Sequence, residues 1–147
     1  MAETAIGERL ERAVRRRGAE AAARAAVKME TALKAAFQVH RDTGETQRSI
    51  TVRLASVTAT RIEYLARVTT KQARWVNDGT PPHPITPRKP GGVLRFKWAG
   101  APAELVSKDG YTYLRSVSHP GYKGDGWWDD TIQQWHEFLQ DGLAASA

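Results

Sequence analysis

The stretch SITVRLASVTATRIEYLARVT, residues 49–69, decides the fold class. Ile50, Val52 and Leu54 alternate with Thr51 and Arg53, the period of a strand with one face in a core. Ile62, Tyr64, Ala66 and Val68 repeat that alternation. Thr58, Ala59 and Thr60 separate the two runs and suit a hairpin turn, although the Asn-Gly pair that most favours such turns is missing. Adjacent strands joined this way run antiparallel.

Upstream, residues 3–40 are rich in Ala, Arg and Glu, all good helix formers. Ile6, Leu10 and Val14 recur at four-residue spacing, as do Met29, Leu33 and Phe37, so each set shares a helix face. The first half carries more charge and a weaker apolar stripe. Residues 1–20 are therefore expected to project from the body, with Gly18 as a candidate break, while Ala22 to Phe37 packs on the core. Gly44 stops this helix. Downstream, KQARWVNDG (71–79) reads as a helical turn or two ended by Gly79. GVLRFKW (92–98) alternates Leu94, Phe96 and Trp98 against Arg95 and Lys97 and places all three apolar residues in the core. ELVSKDGYTYLRSV (104–117) reads as a hairpin turning at KDG. WWDDTIQQWHEFLQDGL (127–143) closes the fold as a helix with Trp128, Ile132, Trp135 and Leu139 on one face. AASA (144–147) reads as its frayed end.

Antiparallel strands with segregated helices define an α+β protein. The expected architecture is a long N-terminal helix packed on a four- or five-stranded, mainly antiparallel sheet, with a C-terminal helix. The 147 residues suit a single domain, 1–147, in which residues 41–143 form the sheet body with its C-terminal helix. Phe37, Ile50, Leu94 and Phe96 are its expected core.

Composition bounds the function. With 41% hydrophobic residues the chain can build a core. No apolar run is long enough to span a bilayer, and the N-terminus lacks the apolar segment of a signal peptide. The absence of cysteine removes disulfides and thiolate metal sites. The net charge of +6 fits a nucleic acid, an acidic membrane surface, an acidic protein or simply a solvated surface.

Two segments stand apart: NDGTPPHPITPRKPGG (77–92) and SHPGYKGDGWW (118–128), each with a His-Pro pair. His40, His83, His119 and His136 are scattered, without the spacing that sets two imidazoles on one ion, so no metal or other cofactor is expected. Ser118 and His119 are neighbours, and neighbours on a strand face opposite ways, which counts against a nucleophile–base dyad. Asp129 and Asp130 open the last helix, where its dipole favours acids, or else pair as catalytic carboxylates. Arg88, Lys89, Arg95, Lys97 and Lys123 lie near Trp98, Tyr122 and Trp127, a mixture that can hold a single strand by charge and stacking. Prolines and glycines stiffen both segments. Such stiffening lowers the entropy a loop loses when it docks.

The order of these pieces resembles the neck or tail-completion proteins of long-tailed phages, the head–tail joining family named for gene product ten of a lambda-like coliphage. The resemblance rests on Thr43, Gly44, Ser49 and Ile50; on Ala73, Val76, Gly79 and Thr80; on Pro82, His83 and Ile85; on Leu94 and Phe96; and on Val117, His119, Pro120 and Gly121. It covers the chain from about residue 40 onward. Gln72 departs from it where an aromatic is usual, and GWW (126–128) replaces a common Pro-Phe. The resemblance implies a non-enzymatic virion structural protein, made in the host cytoplasm, with no membrane role. It implies a homo-oligomeric ring, a hexamer or dodecamer, between connector or stopper proteins and the tail-tube or tail-terminator proteins. In such a ring the stiffened loops 80–91 and 119–127 are expected to dock, with Thr80, Pro82, His83, Ile85, Arg88, Lys89, His119, Pro120, Tyr122, Lys123 and Trp127 at subunit interfaces. Genomic DNA would pass through the lumen without sequence-specific binding. Two other readings stay open: a basic module for single-stranded nucleic acid or RNA, and a small hydrolase using His119 with Asp125 or Asp129.

Overall fold

The computed structural model describes residues 2–40, 42–58 and 60–145. Met1, Arg41, Ala59 of the expected hairpin turn, and Ser146 and Ala147 of the expected frayed end lie outside them. The chain is an α+β protein that packs as two compact units, residues 1–78 with 124–147, and residues 79–123.

The larger unit is organised by α1, Ala2–Ala36, one uninterrupted helix that continues into a 3-10 turn, Phe37–His40. Gly18, the candidate break, lies inside it, because a single glycine lowers helix stability without ending a helix that is supported on both sides. Ala21, Ala25, Met29, Leu33 and Phe37 form one buried row at four-residue spacing. The neighbouring row starts buried at Ala26 and Ala22 and continues past Gly18 as Val14, Leu10 and Ile6, which are 53%, 64% and 65% exposed. The division between a packed and an unpacked half of the helix thus falls near residue 18.

After the short α2, Glu45–Ser49, Ile50 is fully buried and leads into the hairpin of β1, Thr51–Val57, and β2, Ile62–Arg67. The register opposes Val52 to Ala66 and Leu54 to Tyr64, so the inward residues of both strands meet. A bulge follows Leu54. Two hydrogen bonds tie the hairpin to α1. The Val52 amide donates to the Glu30 carboxylate at 3.0 Å, and the Tyr64 hydroxyl donates to the Ala22 carbonyl at 3.1 Å. The Lys34 ammonium, and then the Val52 amide, hold the Glu30 carboxyl below its ordinary pKa. Burial pushes the Tyr64 phenol up to about 12.

Helix α3, Lys71–Asp78, follows as expected, but the closing helix is two: α4, Trp127–Gln133, and α5, Trp135–Ala144, broken at Gln134. Trp127, Met29, Leu33, Phe37, Ile50 and Ala73 make the core, with Trp128 and Trp135 partly buried around it. Helix α5 lies directly on α1: a Cβ at Gly142 would stand 2.5 Å from the Ala21 carbonyl oxygen.

The smaller unit contains four strands of three residues each, β3 (His83–Ile85), β4 (Leu94–Phe96), β5 (Thr112–Leu114) and β6 (Val117–His119). They form two separate antiparallel ladders, β3 with β6 and β4 with β5. The single four- or five-stranded sheet is therefore replaced by three two-stranded ones. Proline accounts for part of this. Pro84 sits within β3 without an amide hydrogen, and Pro81, Pro82 and Pro87 flank it, so the strand stays short and its pairing sparse. The expected hairpin about KDG shrinks to a tight turn, Gly110 amide to Ser107 carbonyl at 2.8 Å, and one bridge between Val106 and Thr112. Leu94 and Phe96 are half-buried rather than core, and Trp98 is 47% exposed, because in this small unit only Thr112 is buried among the described residues.

Leu33→Ala should lower the unfolding free energy by about 2–5 kcal/mol, since its side chain is enclosed on all sides. Leu10→Ala should change it by no more than about 0.5 kcal/mol. Urea titration of both variants checks this division of α1.

Candidate functional site

The two His-Pro segments are not separate loops. Gly79 and Gly121 both have φ of 86°, a left-handed conformation natural to glycine. There the chain crosses itself so closely that a Cβ on Gly79 would fall 2.3 Å from the Tyr122 carbonyl oxygen. One on Gly121 would fall 2.5 Å from that of Thr80. Between these glycines, the Thr80 amide donates to Tyr122 at 2.7 Å and the Tyr122 amide donates back at 2.9 Å. The ladder continues with His83 opposite His119, Pro84 opposite Ser118, and Ile85 opposite Val117.

The register brings together two histidines that sequence spacing left scattered. Their rings stack with centroids 5.0 Å apart and planes 28° from parallel. His83 Nδ1 lies 2.9 Å from the Pro81 carbonyl, which can only accept, so His83 carries a proton there. His119 Nδ1 accepts the Gly121 amide at 3.0 Å, so a neutral His119 has its proton on Nε2. The pair therefore offers one free lone pair instead of two, a poor start for a shared metal ion. Among the described residues no three of His, Asp, Glu or Cys converge as metal ligands would.

Thr80, Pro82, His83, Ile85, His119, Pro120, Tyr122 and Lys123 all belong to this ladder or its rim, and all are at least partly exposed. Arg88 and Lys89 follow β3 on the way to a turn closed by the Gly92 amide and the Lys89 carbonyl at 3.0 Å. Trp127 is the correction. It is 5% exposed in the larger unit, edge-on to Phe37 at 5.0 Å, with its indole N–H donating to the Ala73 carbonyl at 3.1 Å. A residue so placed fills a core and presents no docking surface.

Asn77 explains that placement and was not singled out by its own chemistry. Its side-chain carbonyl accepts the Trp128 amide at 2.9 Å, and its amide donates to Asp129 at 2.9 Å. It thereby caps the first turn of α4 from a different helix. Asp125 bonds His40 at 2.5 Å and accepts the Trp127 amide at 3.1 Å. The residues of the hydrolase reading are thus engaged elsewhere: His119 with Gly121 and His83, Asp125 with His40, Asp129 with Asn77.

The β4–β5 ladder has two unlike faces. Arg95 pairs with Tyr113 in the register, and the Arg95 guanidinium lies 3.7 Å over the Tyr111 ring, with Lys97 Nζ at 5.4 Å. Asp109 accepts the Tyr113 hydroxyl at 2.6 Å, and the Ser107 hydroxyl as well. Those two hydrogen bonds, Ser107 first, hold its carboxyl down to about 2. The same contact with Asp109 raises the Tyr113 phenol above its ordinary range. The opposite face carries Leu94 and Phe96. With Ile85 and Val117 they line an open apolar cavity of about 320 Å³.

No family model, curated protein or solved structure matches this chain. Among the described residues no helix is long and apolar enough to cross a membrane.

Gly121→Ala should open the stitch between Thr80 and Tyr122, because a left-handed alanine adds about 1–2 kcal/mol of strain to the steric overlap. Hydrogen exchange should show faster exchange of the Thr80 and Tyr122 amides, with the α1 amides between Ala25 and Leu33 unchanged.

Proposed function

We propose that this chain is a structural virion protein of the phage neck, which assembles into a ring that joins or completes the head–tail junction and carries out no reaction of its own. One observation supports this most: each unit leaves an apolar surface open although its buried polar groups are satisfied. Among the described residues no buried side-chain nitrogen or oxygen lacks a hydrogen-bond partner. Yet Ile85, Leu94, Phe96 and Val117 surround an open cavity in the smaller unit. In the larger unit, Val14, Ile62, Trp135, Leu139 and Leu143 line a groove of about 540 Å³ where α1 leaves the body. Beyond that groove the stripe of Leu10 and Ile6 is bare.

A closed ring needs two different surfaces per subunit, one meeting the other on the next copy. Two unlike apolar surfaces satisfy that need, and apolar cores surrounded by polar rims are what stable interfaces bury. The motif order that resembles head–tail joining proteins supports the same reading. Its Gly-Thr and His-Pro-Gly pieces are the residues that stitch β3 to β6. In this reading the ring is a hexamer or dodecamer in the neck or tail of the virion. Its neighbours are connector or stopper proteins and tail-tube or tail-terminator proteins, and DNA passes through its lumen.

Removing residues 2–17 should leave the melting temperature of the body nearly unchanged. The truncated chain should sediment as a smaller species than the intact one and fail to join filled heads to tails in a phage assembly reaction. Normal joining by a folded truncated chain would overturn the ring-contact role of this helix, and a monomeric intact chain at every concentration tested would overturn the ring.

A further inference from the structure

We infer that the Arg95–Tyr113 face of the β4–β5 ladder binds a single strand of nucleic acid, holding phosphates with its cations and a base against Tyr113. The inference stands apart from the ring reading, because it rests on how charge is distributed within one chain. Residues 79–123 contain seven Lys and Arg against two acids, Glu104 and Asp109, and so hold five of the chain's six net positive charges. The larger unit is close to charge balance, with 15 Lys and Arg against 14 acids, and pairs several of its cations, Arg15 on Glu11, Lys28 on Asp141, Lys34 on Glu30 and Arg74 on Asp78. In the smaller unit only Arg95 has an acidic partner among the described residues, Asp109 at 3.7 Å. A surface left this uncompensated attracts a polyanion.

The arrangement of the face selects which polyanion. Arg95 and Lys97 both lie over Tyr111, so cations alternate with aromatic rings on one side of the ladder. Tyr113, opposite Arg95, is 41% exposed, and its hydroxyl is fixed by Asp109, which sets the ring at a defined angle. Lys108 lies in the turn beside Asp109 and is exposed. Charge that tracks a backbone beside rings that accept bases is the chemistry of single-strand binding, and it needs no base-edge hydrogen bonds. The competing occupant is the acidic segment of a second copy, residues 124–147, which has five acids and no Lys or Arg. Three of those acids, Asp125, Asp129 and Asp141, already hold partners in their own unit, and an acidic helix offers nothing to stack on Tyr113.

The test is fluorescence anisotropy of the intact chain with an oligothymidylate of about 20 nucleotides, long enough for one site, and with a duplex of equal length. Four cations, Arg95, Lys97, Lys108 and Arg115, the last exposed just past the end of β5, should give a slope of about −3 in log K against log salt, a loss of about 50-fold between 50 and 200 mM. Lys97→Gln with Lys108→Gln should flatten that slope by about half, and Tyr113→Ala should weaken binding roughly tenfold with the slope kept. Tyr113→Phe, which keeps the ring but loses its bond to Asp109, should bind between the parent and Tyr113→Ala. Lys97, Lys108 and Tyr113 are all exposed, and circular dichroism of each variant confirms that it is folded. Binding that prefers the duplex and ignores Tyr113→Ala overturns the inference. So does absence of binding to either probe, with salt-sensitive self-association lost in the lysine variant, which would assign the face to the acidic segment of a second copy. Loss of ring assembly with strand binding intact would count against the ring alone.

Discussion

The larger unit depends on one tapered row of side chains on α1. Ala21 and Ala25 stand at its narrow end, and Met29, Leu33 and Phe37 at its wide end. The small end lets the backbone of α5 come so close at Gly142 that no side chain fits between the helices. The large end fills the space beneath Ile50 and Trp127. Interiors are packed almost without voids, so the taper sets how far each neighbouring element stands from α1. Alanine serves twice here, as the best helix former and as the smallest side chain with a defined backbone. The hairpin is then fastened at its strand edge by Glu30 and at its ring by Tyr64, so neither strand relies on hydrophobic contact alone.

The smaller unit is held together differently. With one buried residue among those described, it owes its shape to turns, short ladders and the stitch between Gly79 and Gly121, not to a filled interior. A segment of 45 residues cannot bury much of the surface it would expose when unfolded. Its two ladders accordingly divide their faces, apolar around Leu94 and Phe96, cationic and aromatic around Arg95 and Tyr113. Both kinds of face are suited to contacts outside the unit, the first to another apolar surface and the second to negative charge.

Much of the fold was legible from period alone. The hairpin at 51–67 and its inward residues, the packed half of α1, the short helix before Gly79 and the class α+β all follow from local spacing. The misreadings share a cause. Trp127 and Trp128 are adjacent, and helical period selected Trp128 for the core. The first turn of α4 is instead capped by Asn77, which lies 50 residues before Trp127 and accepts the Trp128 amide, and it is Trp127 that packs inward. Trp98 continues the alternation of Leu94 and Phe96, yet β4 stops at Phe96 and the pattern has no sheet to obey beyond it. The basic and aromatic mixture of the site was visible, but Tyr111 and Tyr113 were not matched to it. The alternation in YTYLR gains meaning only once Arg95 is known to lie opposite Tyr113.

The amino-acid sequence by itself determined the long first helix, the hairpin at 51–67 and the short helix before Gly79, where glycine had to turn the chain, and that residues 79–123 carry five net positive charges. These are properties of neighbours along the chain, set by backbone sterics and side-chain period. The tertiary structure alone decided that the two His-Pro segments pair, that His83 meets His119, that the strands form three ladders instead of one sheet, and that Asn77 caps a distant helix. Those outcomes depend on which of many remote partners satisfies each backbone group at the least loss of chain entropy, and that comparison is made only when the whole chain has folded.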